Sequence, residues 1–76
     1  MVVALIMVTV WPGREKIFYE EVKKLQYIKD VYHVFGEFDF VVIIDAPNLS
    51  EINSTVDKIR SLEGVTRTQT IIGAEI

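Results

Sequence analysis

The chain has 76 residues, half of them hydrophobic, a net charge of −3 and no cysteine. This length allows only one domain, and the lack of cysteine excludes disulfides, thiolate nucleophiles and cysteine-ligated metals. The acidic balance argues against direct binding of DNA or RNA, because such binding draws much of its affinity from lysine and arginine on phosphates. A domain this small has too little interior for so much apolar surface, so the composition predicts burial against a partner.

An apolar, β-branched run from Val2 to Val10 comes first. Nearly every position is hydrophobic, which is typical of a strand buried on both faces. The run is too short to cross a bilayer and no basic segment precedes it, so we interpret it as a strand. We therefore expect a cytoplasmic protein with no membrane partner. The turn residues Trp11-Pro12-Gly13 end the strand.

A helix is predicted from Arg14 to Ile28, because apolar residues recur there at spacings of three and four. Its buried face would comprise Ile17, Phe18, Val22, Leu25 and Ile28. On the opposite face Glu20 precedes Lys24 by four positions, the favourable order for an ion pair on a solvated helix.

A hairpin follows the first helix. Val31–Phe35 is predicted as the second strand, Gly36-Glu37 as the turn and Phe38–Ala46 as the third strand. The connection is too short for anything but an antiparallel pair. The middle of the third strand is apolar on both faces, which again indicates a strand that is covered on both sides.

The second helix is predicted to begin after Asn48, which serves as the N-cap, with Glu51 three residues on to complete a capping box. Its inward face would comprise Ile52, Val56, Ile59 and Leu62. Gly64 suits the left-handed position at the end of a helix, and Val65–Ile72 is the fourth strand.

The predicted order β-α-β-β-α-β is the ferredoxin-like α+β arrangement, a four-stranded antiparallel sheet with both helices on one face. A weak internal echo supports it, since residues 25–31 resemble residues 59–65, about 34 positions later. The other sheet face would stay open, although strands one and three are apolar on both sides. We therefore expect a second copy to cover it, which gives a dimer that packs sheet against sheet.

The hairpin turn and the last strand hold the candidate ligand-binding residues. Gly36 leaves backbone N–H groups uncovered that can hold a carboxylate, and Asp39 can accept hydrogen bonds from an ammonium group. Thr66, Thr68 and Thr70 recur every second residue and would form one row of hydroxyls. Together these groups can bind both charged ends of a small zwitterion. The open alternatives are a hairpin in which Asp39 bonds its own turn, and threonines that are simply good strand residues.

Four segments of the chain, in this order, resemble the effector-binding domain of the Lrp/AsnC (feast/famine) transcription regulators, often called the RAM domain. They are Val8–Gly13, Asp30-Val31, Gly36–Phe40 and Gly64–Thr70. The resemblance covers nearly the whole chain and implies sheet-to-sheet dimers, octamers or decamers built from those dimers, and an amino-acid effector bound between dimers. The ligand-binding residues that it implies are Gly36, Glu37, Phe38, Asp39, Thr66, Thr68 and Thr70.

Members of this family usually carry an N-terminal helix-turn-helix that binds DNA. The chain starts directly at the first strand, so we expect a single effector-binding domain over residues 1–76, similar to the stand-alone versions. Direct DNA binding is therefore not expected, and a DNA-binding Lrp/AsnC relative is the expected partner. Sensing of an amino acid, with no catalysis and no cofactor, is the leading hypothesis.

Other functions find less support in the residues. His33 is the only histidine and has no companion at a metal-like spacing, so no metal is expected. Neither a phosphate loop nor a dinucleotide fingerprint occurs, and the third strand lacks the basic pattern of an RNA-recognition motif. Trp11 is expected in an inter-subunit contact. Two alternatives stay open: a ligand-free oligomerisation module, and a small dimeric ferredoxin-like enzyme.

Overall fold

Six elements follow one another in the computed structural model, which describes residues 1–73. They are β1 (Val2–Val10), α1 (Glu15–Val22), β2 (Ile28–His33), β3 (Phe40–Ala46), α2 (Leu49–Arg60) and β4 (Val65–Ile72). The strands form one antiparallel sheet in the order β2-β3-β1-β4, which confirms the ferredoxin-like α+β arrangement. Within the described residues, no helix has the length and apolar character needed to cross a membrane.

The core lies between the sheet and the two helices. Alternation along the central strands sends every second side chain to this side, and the register sets Ile6 opposite Val42 and Val8 opposite Phe40. From α1, Phe18 packs on Phe40 with ring centroids 4.8 Å apart. The buried apolar residues are Ala4, Ile6, Val8, Val10, Phe18, Val22, Phe40, Val42, Ile44, Ala46, Ile52, Val56 and Ile59. Each large side chain among them contributes roughly 1.5–3 kcal/mol by leaving water.

The opposite face of the sheet is also apolar at its centre. Leu5 of β1 lies between Ile43 of β3 and Ile71 of β4 in the register, and its neighbour Met7 lies opposite Val41. The central residues of this face are only partly buried, and Ile71 at the edge is 48% exposed. The prediction that β1 and β3 are apolar on both sides is confirmed, and one of those sides faces away from the helices.

The first helix is shorter than predicted. It ends at Val22 rather than Ile28, and the chain turns through residues 23–27 before β2 begins. Tyr27 adopts φ +73°, a left-handed conformation that cannot continue a right-handed helix, and its carbonyl accepts a hydrogen bond from Asp45 N at 3.0 Å. Ile28 consequently belongs to β2, opposite Ile44, and the predicted helix face was wrong beyond Val22.

The hairpin is wider than predicted. Strand β2 ends at His33 and β3 begins at Phe40, so residues 34–39 form the connection instead of Gly36-Glu37 alone. The backbone of Val34 donates to the carbonyl of Asp39 at 2.8 Å and closes this loop at its base. Phe35 and Phe38 therefore lie outside the strands to which the alternation assigned them.

The two halves of the chain do resemble each other, but the spacing between equivalent residues differs from the predicted one. Leu25 N donates to Val22 O at 3.1 Å, and Leu62 N donates to Ile59 O at the same distance. The equivalent residues are thus 37 positions apart, not 34. In this alignment Tyr27 and Gly64 share one position, each with positive φ and each directly before a strand.

The second helix begins as predicted and ends earlier. Asn48 caps it, since its side-chain oxygen accepts a hydrogen bond from Glu51 N at 2.9 Å. The helix ends at Arg60, so Gly64 belongs to the turn before β4 rather than to the helix terminus. The prediction of a left-handed glycine is confirmed at φ +92°, and its assignment to the helix end was wrong.

Candidate functional site

One end of the sheet gathers three segments that are distant in the sequence. They are the connection 34–39, the last residues of β1 and the first residues of β4, and we call this region the hairpin end. Thr9 Oγ1 donates to Glu37 O at 3.4 Å, and Arg67 Nη2 donates to the same carbonyl at 2.8 Å. The guanidinium of Arg67 also lies over the ring of Phe38, 4.5 Å from its centroid. The loop is thus held against both β1 and β4.

Asp39 is tied to β1 by its side chain as well as its backbone. The pairing of β1 with β4 shifts register between Thr9 and Val10, and such irregularities leave ladder groups without a regular partner. Asp39 Oδ2 accepts a hydrogen bond from Val10 N at 2.9 Å, and Asp39 N donates to Val8 O at 2.9 Å. The carboxylate therefore supports the neighbouring strand, rather than its own turn as in the open alternative from the sequence.

The turn at Gly36 is open and requires glycine. Its φ of +134° is a conformation that side-chain-bearing residues rarely adopt. A Cβ built on Gly36 would meet nothing within 4 Å, so the restriction comes from the backbone and not from crowding. The structure thus brings Gly36, Glu37, Phe38 and Asp39 into one loop beside Thr9. The turn at Gly36 is left accessible to a ligand.

The threonine row lies along the outer strand and is not continuous. Thr68 pairs with Val8 and Thr70 with Ile6, so both lie on the helix side of the sheet. Thr66 falls at the register shift, and its hydroxyl donates to Thr9 O at 3.1 Å. Hydroxyls that are already bonded to the sheet have less capacity for a ligand. Thr68 and Thr70 therefore lie next to each other on the helix side of the sheet, and the hydroxyl of Thr66 already donates a hydrogen bond to β1.

Arg67 and Thr9 are residues of the site that sequence reasoning undervalued. Arg67 lies opposite Thr9 in the register, on the face of the sheet that points away from the helices. The signal that could have identified this pair is their position at the adjoining ends of β1 and β4, level with the hairpin.

A polar cavity lies at the start of β4. It has a volume of about 370 Å³ and is lined by Arg60 of α2 together with Val65, Thr66, Arg67 and Thr68. Two predicted ligand-binding threonines thus share one depression with a cationic side chain from the second helix. The cavity is shallow within a single chain, which suits a site that a neighbouring subunit completes.

No metal site accompanies these groups. Within residues 1–73, His, Cys, Asp and Glu form no cluster of three that could hold a metal ion. The imidazole of His33 instead stacks on Phe40, with centroids 4.7 Å apart and planes inclined by 18°.

The sequence and the fold place this chain in a known family. A family model described as the Lrp/AsnC ligand binding domain matches residues 3–75. The HTH-type transcriptional regulator LysM of Sulfurisphaera tokodaii is 38% identical over 53 residues, which are 70% of this chain and 38% of LysM. The HTH-type transcriptional regulator FL11 of Pyrococcus furiosus is 34% identical over 71 residues, 93% of this chain and 47% of FL11. The chain spans less than half the length of these two relatives.

Solved structures agree with this placement. TTHA0845 from Thermus thermophilus superimposes with a TM-score of 0.94 at 28% identity, and the match covers 100% of this chain and 96% of that protein. The transcriptional regulator NMB0573 from Neisseria meningitidis shares the fold alone, with a TM-score of 0.83 at 18% identity over 97% of this chain and 50% of its own. The chain belongs to the Lrp/AsnC ligand-binding domain family, whose curated members matched here are transcriptional regulators.

Proposed function

We propose that the chain is a small-molecule sensing domain of a transcription-regulation system and that its effector is an amino acid bound at the hairpin end. The observation that carries the proposal is the open Gly36 turn beside the half-buried carboxylate of Asp39. Backbone N–H groups of the turn hold the carboxylate of the effector, and Asp39 accepts from its ammonium group. Family membership supports a regulatory, non-catalytic role.

The anchoring of Asp39 favours this use. A ligand-binding carboxylate works best when its position is held before the ligand arrives, because ordering the side chain then costs less on binding. One oxygen is held by Val10 N, which leaves the other for an ammonium group. Thr66 and Thr68 line the cavity at the start of β4, Thr70 lies further along the same strand, and a neighbouring subunit completes the pocket.

Assembly is part of the proposal. The apolar face around Leu5 and Ile43 packs against the same face of a second copy, and the dimers assemble further into octamers or decamers. Trp11, which is 62% exposed, lies beside the hairpin end and anchors the contact between dimers. An effector bound between dimers favours the assembly that it bridges, because a ligand stabilises whichever state binds it better.

The relatives indicate what the sensor acts on. LysM and FL11 are HTH-type transcriptional regulators, and NMB0573 was solved as a complex with L-methionine. We infer that the chain works in the cytoplasm with a DNA-binding Lrp/AsnC relative, by joining its assemblies or altering them, and does not bind DNA through this domain.

A thermal-shift screen of the twenty L-amino acids, read together with light scattering, tests the proposal. A true effector at about 100 times its Kd adds about 2.7 kcal/mol of stability, which corresponds to a Tm increase of roughly 10–20 °C in a domain of this size. The D-enantiomer serves as the control ligand. If no amino acid changes either the Tm or the assembly mass, the sensing proposal is wrong.

The variant Asp39→Asn sharpens this test. The amide oxygen can still accept from Val10 N, but the charge that attracts the ammonium group is gone. The effector response should be lost while the Tm without ligand stays close to that of the original chain. Asp57→Asn, an equal charge change on the exposed side of α2, should keep the response.

One competing function is favoured by a specific observation. Asp39 Oδ2 already accepts a hydrogen bond from Val10 N, so Asp39 can serve only to hold the hairpin against β1. The chain would then be an oligomerisation module that binds no ligand. The screen separates the two functions, since such a module forms its full assembly without any added amino acid and Asp39→Asn leaves that assembly unchanged.

A further inference from the structure

A second depression lies between α1 and the edge strand β2. It has a volume of about 520 Å³, within the range of small-molecule pockets. Lys16 and Tyr19 line it from the helix, Val31 and His33 line it from the strand, and Phe40 forms its floor. None of these residues belongs to the proposed effector site. We call this depression the α1–β2 groove.

The groove follows from where the first helix is anchored. Phe18 reaches past the edge strand β2 to pack on Phe40 of β3, and α1 leaves part of β2 uncovered beside it. The register sets Val31 opposite Val42 and His33 opposite Phe40, which places both on the helix side of β2. Val31 is only half-buried and His33 is exposed, because no element extends beyond α1 to cover them.

Flat aromatic surfaces dominate the groove. The His33 ring stacks on Phe40 at 4.7 Å, and the ring of Phe35 lies 5.8 Å from His33. Phe35 is 97% exposed, and Tyr19 on the helix wall is 37% exposed. Offset stacking between aromatic rings contributes beyond simple area burial. These walls therefore favour a planar aromatic guest over a branched aliphatic one.

The charges around the groove are mainly positive, although the chain as a whole carries −3. Lys16 lines the groove, and Lys23 Nζ lies 4.6 Å from the centroid of the Tyr19 ring. Lys23 and Lys29 both line an adjoining cavity of about 250 Å³ that shares Tyr19 with the groove. The groove thus continues into a region with two further ammonium groups.

The acidic residues nearby offset this charge only in part. Glu15 lines the groove, but its Oε1 accepts a hydrogen bond from Gly13 N at 2.8 Å and so serves the turn before α1. Asp30 lines the adjoining cavity, and its register opposite Ile43 places it on the other face of the sheet. Lys16 in the groove and Lys23 and Lys29 in the adjoining cavity outnumber the two carboxylates there, which favours an anion.

We propose that the α1–β2 groove is a second ligand site and that it binds a small planar aromatic carboxylate. The ring lies between Tyr19 and His33, and the carboxylate pairs with Lys16 at the rim. The site lies beside the hairpin end, shares none of the proposed effector-binding residues and does not depend on the proposed amino-acid effector. The other occupant to be tested is a second copy of this chain, seated on exposed Phe35.

Titration of the 15N-labelled full chain with 2-naphthoate, followed by 1H–15N spectra, tests the site. Saturable shifts are expected at the amides of Tyr19, Val31 and His33, with little change at Thr66 and Thr68, which line the polar cavity at the start of β4. Two matched probes resolve the chemistry: cyclohexanecarboxylate keeps the charge without a planar ring, and 2-naphthol keeps the ring without the carboxylate. Both should bind at least several-fold more weakly than 2-naphthoate.

Variants then assign the contacts. Lys16→Gln should weaken 2-naphthoate binding about two- to fivefold, as expected for one exposed ion pair. Tyr19→Ala should weaken it about fivefold through loss of a stacking surface. Lys58→Gln on α2 makes the same charge change away from the groove and should leave the affinity unchanged.

Three results would overturn the proposal. The first is the absence of saturable shifts at the groove up to millimolar 2-naphthoate, and the second is equal binding of 2-naphthol. The third is a dependence of the groove signals on protein concentration without ligand, which would assign the groove to a contact between copies of the chain.

Discussion

The carboxylate of Asp39 accepts a hydrogen bond from the backbone N–H of Val10 at 2.9 Å and so joins the hairpin to the first strand where the β1–β4 register shifts. Removal of this acceptor should destabilise the fold. Asp39→Ala leaves Val10 N without a partner in a half-buried place, which costs about 1–3 kcal/mol of unfolding free energy.

Urea unfolding of Asp39→Ala and Asp39→Asn separates the structural role of this residue from its charge. The asparagine variant keeps an acceptor and should lose clearly less stability than the alanine variant. Equal losses for the two variants would mean that the charge of Asp39, and not the hydrogen bond to Val10, is what stabilises the strand.

A charged residue on the open sheet face should break the proposed dimer. Ile43 lies at the centre of that face opposite Leu5, so Ile43→Glu would place a carboxylate in an apolar interface without a partner. Light scattering should give the monomer mass for this variant, while far-ultraviolet circular dichroism confirms the fold. Ser54→Glu on exposed α2 is the control and should keep the original mass. An unchanged mass for Ile43→Glu would contradict dimerisation through this face.

Two phenylalanines whose rings lie near His33 should differ sharply in their contribution to stability. Phe40 is 1% exposed and packs on Phe18, so Phe40→Ala should cost about 3–5 kcal/mol. Phe35 is 97% exposed, and Phe35→Ala should change the unfolding free energy of the monomer by less than about 0.5 kcal/mol. Denaturant midpoints at low protein concentration give both values. A large effect of Phe35→Ala that grows with protein concentration would instead indicate a contact between copies.

Gly64 should not tolerate a side chain. Its φ is +92°, and a Cβ there would lie 2.9 Å from Arg14 Cγ, so Gly64→Ala combines backbone strain with crowding. We expect a loss of about 1–2 kcal/mol in thermal or urea unfolding. Ser54→Ala, on an exposed helix surface, should stay within about 0.5 kcal/mol of the original. Comparable values for the two variants would show that the turn before β4 adapts freely.

The features that the sequence predicted correctly depend on neighbours in the chain. The apolar character of β1 and β3 on both faces was predicted from the residue types along each strand, and the Asn48 cap was predicted from a side chain three residues away. The early end of α1 was missed because apolar spacing continued to Ile28. A non-glycine residue with positive φ, here Tyr27, carries no reliable local signal.

The candidate site shows the same difference between local features, which the sequence predicts, and contacts between distant residues, which it does not. Local patterns in the sequence were enough to predict the layered fold and the place of the turn at Gly36-Glu37, because periodicity and turn chemistry act over a few residues. Folding alone brings Asp39 to Val10 N and Arg67 to the carbonyl of Glu37, and the register of β4 alone interrupts the threonine row at Thr66. Those partners are about 30 or more positions apart in the chain, and their contact depends on a one-residue register shift that no local pattern specifies.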